Sequence, residues 1–415
     1  MITQPRTVRP IAMRAPLWLC ACLAVGCATP VVTTAERLFL LGDERGAIES
    51  YAARLEAPSK REALDENLLA TAALVGGDLE TARKTFIDAG IIMGSFPSSQ
   101  PGAIIGSEGS KYYLGDPYEG AMNSIYTAVV LLATGDEQNA RAALKNGILI
   151  DSDSKDEEYR SDIAALFLLE AWLSQRSGQT DLARQDLEQV LVILPGSPLA
   201  DPETLAAANT LIVIDVGDGP QKVRSGSSGE LALFVTPPTE VTGLSVEIGG
   251  QPIQPVLGVD VSFQATTRGG RKMDGILRGK AVFKEVAELG GAVLIHDALR
   301  KNAIKNDAKV GGQLAVGGGL LLLSALTRAE ADVRHWHLLP AYTYIWIGRV
   351  EPGLHDIDLR VRGPGGSEIS DYHQAWHYVP FSGDSLNVHY FRADPHRGFG
   401  HAASGNRSAA ERGSP

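Results

Sequence analysis

The chain has 415 residues, 44% of them hydrophobic, and a formal net charge of −11 at pH 7. That length holds two domains of ordinary size with real apolar cores. The acidic balance excludes nucleic acid as a partner, since phosphate contacts need clustered Lys and Arg and no basic patch interrupts the pattern.

The first predicted element is a leader over residues 1–26. Arg6, Arg9 and Arg14 precede an apolar stretch from Ala15 to Gly26, too short to span a bilayer and of the right length for a secretory signal core. Leu23-Ala24-Val25-Gly26-Cys27 reads as a bacterial lipoprotein cleavage box, in which small Ala24 and Gly26 fit a peptidase pocket and Cys27 carries the lipid. Ala24 stands where a leucine is usual, so a plain signal peptide and cleavage before Cys22 stay open. Ala28 rather than Asp after the modified residue points to the outer membrane, facing the periplasm, where several acyl chains hold a protein stably. Cys20, Cys22 and Cys27 are the only cysteines, so the cut chain keeps one thiol and no internal disulfide.

Residues 27–208 are rich in Ala, Leu and acidic side chains and are expected to be all helical. A glycine followed five residues later by alanine recurs at Gly42/Ala47, Gly77/Ala82, Gly135/Ala140 and Gly178/Ala183, with Asp after the glycine in the first three. This is helical-hairpin chemistry: Gly ends one helix left-handed, Asp caps the next, and the small Ala lets the two approach. Gly178 to Leu194-Pro195 resembles a tetratricopeptide repeat, and the four hairpins predict an irregular array of that kind, with a concave face for an extended peptide or partner domain. A generic helical bundle is the alternative. The Ser, Pro and Gly-rich stretch from Ser95 to Gly109 interrupts the array. After it, Tyr112 and Tyr113 are expected at a contact surface, and Tyr118, Met122, Ile125, Tyr126, Val129 and Leu132 form one helical stripe suited to a core.

Residues 209–392 turn rich in Gly, Val, Ile and Pro. Strands are expected at Leu211 to Val216, Leu231 to Thr236, Leu244 to Ile248, Val256 to Phe263, Thr343 to Val350, His355 to Val361, Trp376 to Phe381 and Leu386 to Phe391, with a hairpin around Glu351-Pro352-Gly353. A helix from about Phe283 to Lys305 interrupts them. The apolar run Val310 to Thr327 holds Gln313 and five glycines, which favours a buried helix or hairpin over a membrane span. Its Gly317-Gly318-Gly319 is not a phosphate loop, lacking the Lys-Ser/Thr ending. The resulting fold class is α+β in two domains, a tetratricopeptide-like helical array followed by an antiparallel β-rich domain with inserted helices. Residues 393–415 are expected to be a disordered tail.

All nine histidines follow residue 295, yet His335/His337 and His373/His377 lack the convergent donors of a metal site. Asp332 or Glu330 as a catalytic carboxylate has no nucleophile motif beside it. No catalytic residue, metal or cofactor is expected.

Three blocks resemble a family of bacterial envelope lipoproteins with a tetratricopeptide-like amino-terminal region. They are Tyr113-Leu114-Gly115-Asp116-Pro117-Tyr118-Glu119 leading to Gly135-Asp136, then Gly217-Asp218-Gly219-Pro220-Gln221-Lys222, and Ala331-Asp332-Val333-Arg334-His335-Trp336 running on to Pro352-Gly353-Leu354-His355. The likeness carries no activity with it; it implies architecture and location, and it singles out Lys222, Arg334 and Trp336. The expectation is a lipid-anchored, periplasm-facing scaffold that binds an envelope protein partner through Tyr112, Tyr113, Tyr118, Glu119, Lys222, Arg334 and Trp336. The rival is a peptidoglycan- or glycan-active protein with a cleft around Lys222 and Arg334.

Overall fold

The turn chemistry repeated along the first half builds four helical hairpins. The computed structural model describes residues 33–94, 112–152, 161–225, 231–236, 241–267, 331–393 and 403–404. The leader with Cys27, the stretch from Ser95 to Gly109, the helix expected from Phe283, the run Val310 to Thr327 and Glu330 lie outside them. The hairpins pair α1 (Thr34–Leu40) with α2 (Glu44–Ala52), α3 (Glu62–Val75) with α4 (Leu79–Gly94), α5 (Pro117–Ala133) with α6 (Glu137–Ser152), and α7 (Ala164–Arg176) with α8 (Thr180–Ile193). At the four turns Gly42, Gly77, Gly135 and Gly178 have φ of 77°, 77°, 83° and 73°. In the third, the N–H of Gly135 donates to Leu132 at 3.1 Å and that of Asp136 to Leu131 at 2.8 Å, which satisfies the last carbonyls of α5. Asp43, Asp78 and Asp136 then cap the following helices, their carboxylates accepting from the N–H of Gly46, Thr81 and Asn139. Ala47, Ala82, Ala140 and Ala183 are all buried, as close helix approach requires.

Two kinds of helix result. On α6 only Ala140, Leu144, Gly147 and Asp151 are buried, one stripe at helical spacing, and α4 and α8 are similar. By contrast every residue from Ala63 to Val75, from Tyr118 to Leu132 and from Ala164 to Ser174 is buried, so α3, α5 and α7 are enclosed on all sides. The second cover is a β-sheet of the same chain.

That sheet has five strands in the order β11-β10-β1-β7-β6, with β1 Thr210–Val216, β6 Val256–Asp260, β7 Tyr342–Gly348, β10 Asn387–Ala393 and β11 Ala403–Ser404. Helices α3 and α5 contact β10, and α7 contacts β6. The inner face of the helical array, where the sequence suggested a peptide would lie, is thus filled from within. A second sheet, in the order β5-β4-β8-β9, stacks on the other side, with β4 Gly243–Ile248, β5 Gln251–Ile253, β8 Gly353–Arg362 and β9 Gln374–Phe381. The alternation of β1 explains the layering. Leu211 and Val213 join the helices in one core, while Ile212, Ile214 and Val216 join Val246, Ile357, Leu359, Trp376 and Phe391 in the other. A two-stranded ribbon, β2 (Gln221–Ser225) with β3 (Leu231–Val235), packs near the start of α5.

The α+β class is therefore observed, with several differences from expectation. Helices and strands share the first core, and Thr34–Pro415 fall into one unit, so residue 209 marks a change of secondary structure inside a common core. The five-stranded sheet is mixed rather than antiparallel, because β1 pairs parallel to β10; β1 is buried along its whole length, the setting in which parallel pairing is found. The hairpin expected at Glu351-Pro352-Gly353 is a crossing between sheets, β7 pairing with β1 and β6 while β8 pairs with β4 and β9. Pro352 has no N–H to offer a ladder, and Gly353 takes φ 147°. The strand expected to run to Phe263 stops at Asp260, whose carboxylate accepts from the Phe263 N–H and opens helix α9 (Val261–Thr267). Within the expected tail, Ala393 belongs to β10 and Ala403–Ser404 pair with it. No helix among the described residues is long and apolar enough to cross a membrane.

Candidate functional site: a buried polar clasp

Six of the seven residues expected at a partner surface lie in or against one cluster inside the chain. Asp116 is the N-cap of α5, Pro117 its first residue and Glu119 its third, so the local sequence fixes a capping box. One Glu119 oxygen accepts from the Asp116 N–H at 2.5 Å and the other from the Trp336 N–H at 2.5 Å. The same carboxylate thus closes a helix end and holds the strand-side segment that carries Trp336. The Trp336 indole N–H donates to the Thr71 hydroxyl of α3 at 3.0 Å, and its ring packs 6.0 Å from Phe86 and 5.8 Å from Tyr126.

Lys222 reaches in from β2. Its Nζ lies 2.7 Å from Asp116 Oδ2, both side chains being about 5% exposed, and 5.5 Å above the ring of Phe234. Tyr118 meets Phe234 edge-on at 5.6 Å, so an ion pair and an aromatic contact both attach the ribbon to α5. Arg334 grips Asp332 through two bonds of 2.8 and 2.7 Å, donates to the Lys60 carbonyl at 3.1 Å, and covers the Tyr113 ring at 5.5 Å.

The electrostatics follow from enclosure. Burial first, and the neighbouring Asp116 charge next, push the Glu119 carboxyl up to about 7, while Lys222, the Tyr113 hydroxyl and the Asp116 N–H pull the other way. Tyr113 and Tyr118 are raised by burial and by the Glu119 charge. For Asp332, burial works upward, but the Arg334 fork overcomes it and holds the group below the usual carboxylate range. Tyr113, Tyr118, Glu119, Lys222 and Trp336 are buried and Arg334 is mostly covered, so contact with a partner at these side chains is corrected to contact within the chain. Tyr112 alone stays at the surface, 59% exposed. Consecutive residues of an extended segment point opposite ways, which separates it from Tyr113.

A second cluster escaped the sequence reading. Asp215 of β1 is fully buried and accepts from the hydroxyls of Tyr126 at 2.6 Å, Tyr390 at 2.7 Å and Thr343 at 2.6 Å. Burial raises its pKa against the pull of Arg392 and these donors. One carboxylate thereby joins α5 to β1, β7 and β10. The signal was present in the sequence: an acid inside the apolar run Leu211 to Val216 must find donors if the strand is covered on both faces. Among the described residues no group of three or more His, Cys, Asp or Glu is placed to hold a metal ion. Comparison with family models, with curated proteins and with solved structures gave no match to the chain.

Proposed function

We propose that this protein is a rigid adaptor, anchored by a lipid at Cys27 and facing the periplasm, that holds an envelope protein partner on the outer layer of a tetratricopeptide-like array. The observation that carries the reading is a repeat-phased row of exposed apolar side chains. Ile91 on α4, Leu149 on α6 and Val192 on α8 each stand fourteen residues after the turn glycine of their hairpin, and they are 65%, 68% and 73% exposed. A lone exposed Leu is ordinary, but the same repeat position left apolar in three successive hairpins marks a surface kept for contact. The inner face being occupied by the sheet, the outer layer is the side a partner can reach.

The clasp and the Asp215 cluster supply stiffness to this reading rather than chemistry. Lipid anchoring adds effective concentration, because two molecules confined to one thin compartment meet often without any new contact. No covalent step is involved.

The test is crosslinking and pull-down from membranes with simultaneous labelling by a fatty-acid analogue. Cys27→Ser is expected to lose the label, and Ile91→Ser/Leu149→Ser/Val192→Ser to keep the label and the thermal transition while losing the captured partner. Label retained by Cys27→Ser would remove the anchor, and a partner retained by the triple variant would remove the row.

A further inference from the structure

We propose that Tyr378, with His377, Asp356 and the exposed pair Leu354 and Pro380, forms a platform for the sugar rings of a neutral glycan bearing acetamido groups. The platform lies on the outer face of the second sheet and shares no residue with the helix row, so it does not rest on the adaptor reading.

Strand β9 is an edge strand, and its alternation fails at one point. Trp376, Val379 and Phe381 are buried, whereas His377 and Tyr378 are both exposed. The cause is a bulge: the β8–β9 register shifts between His355 and Ile357, so Asp356 faces two residues of β9. Asp356 latches the extra residue. One of its oxygens accepts from the Tyr378 N–H at 3.0 Å, and the other lies 3.2 Å from Nδ1 of His377.

Tyr378 takes φ 57°. A bulky ring in the left-handed region is an outlier and persists where the surroundings impose it. Packing does not repay it here, since Tyr378 is 74% exposed and its aromatic neighbour among the described residues is the His377 ring, at 6.4 Å between centroids. The bulge has turned an aromatic ring outward and the Asp356 latch keeps it there.

The surroundings select the ligand. Leu354 pairs across with Pro380 and both are exposed, giving a small apolar step beside the rings. One pleat along β8 from Asp356 stands Asp358, 3.0 Å from His373 and 2.8 Å from Arg360. Hydrogen bonds from the Tyr378 N–H and from His377 hold the Asp356 carboxyl below its ordinary range, so it remains an acceptor across the neutral and mildly acidic range. A pyranose ring has an apolar C–H face that lies on an aromatic ring and a rim of hydroxyls that donate to carboxylates and meet imidazoles. An acetamido methyl matches the Leu354–Pro380 step. Two carboxylates in a chain of net charge −11 disfavour a polyanion, and a lipid surface would have to desolvate both of them.

The experiment uses the full chain, with a soluble hexamer of N-acetylglucosamine in calorimetry and purified peptidoglycan sacculi in co-sedimentation. The wild type is expected to bind both. Tyr378→Gly removes the ring and relieves the left-handed backbone, so it is expected to raise Tm while weakening binding by about tenfold or more. Asp356→Asn keeps an acceptor for the Tyr378 N–H and is expected to weaken binding less. Failure of the wild type to bind either glycan, or equal binding by Tyr378→Gly, overturns the proposal. So does retention by sacculi that depends on their attached proteins, since the occupant is then a polypeptide.

Discussion

At the scale of single residues, His389 shows how the layered core handles a titratable group. It sits on β10 between the two sheets, its ring 4.5 Å from that of Phe381, and both ring nitrogens lack a hydrogen-bond partner among the described residues. Burial pushes its pKa from 6.5 down to about 4. Below pH 6.5 the unfolded chain takes up a proton that the folded chain refuses until about pH 4, so this group removes stability across that window, on the order of 3 kcal/mol in all. Glu119 acts in the opposite sense, its raised pKa favouring the fold as pH drops from about 7 toward 4.5. The difference between wild type and His389→Leu isolates the histidine. Denaturant midpoints measured from pH 7 to 4 are expected to fall faster for the wild type, and parallel curves would disprove the assignment. The sequence singled out Glu119 and Lys222 but neither His389 nor Asp215, and it did not show which way any of them would face. Lys222 was legible as a singled-out lysine, yet its partner Asp116 is 106 residues away, and that distance turned an expected surface cation into a buried one. Asp215 was passed over for the same reason, its donors lying 89, 128 and 175 residues distant.

Elements fared better wherever the determining contacts are local. The four hairpins were readable because a turn glycine and a packing alanine stand five residues apart in each, with a capping aspartate between them in the first three. Their energetics can be separated by mutation. A β-carbon at Gly135 would meet nothing within 4 Å, so the only cost of Gly135→Ala is its φ of 83°, about 1 kcal/mol. Ala140→Leu instead forces a branched side chain between α5 and α6 and is expected to cost about 1–3 kcal/mol. Chemical denaturation of both variants checks the order, and a larger loss at Gly135 would mean that the turn does more than reverse the chain. Strand partners were not readable in this way. The runs flanking Glu351-Pro352 looked like a hairpin because they are adjacent, but which sheet each strand joins is decided by partners such as Ile212 for Trp346 and Val246 for Leu359. No local signal separates those alternatives.

For the molecule as a whole, the two halves that composition distinguishes are not independent bodies. Helices α3, α5 and α7 are buried on every side only because the five-stranded sheet supplies the inner cover. A fragment of residues 34–208 would expose that apolar face, along with Trp172-bearing α7 and the Tyr126 hydroxyl that belongs to Asp215. It is expected to bind ANS, to associate and to show no sharp thermal transition, while residues 34–415 unfold in one step. A fragment that melts cooperatively as a monomer would restore the picture of two separate domains.

The parallel pairing of β1 with β10 also sets an order of events. Thr210 and Asn387 touch across 177 residues of sequence, so the edge of β1 stays bare, and Asp215 lacks one of its hydroxyls, until nearly all strands have been synthesised. A polypeptide emerging amino end first completes its hairpins early and its central sheet late, spending the interval as pliable, loosely coupled segments. The arrival of β10 then works as a latch, closing the bare edge of β1 and supplying the Tyr390 hydroxyl to Asp215 in one step.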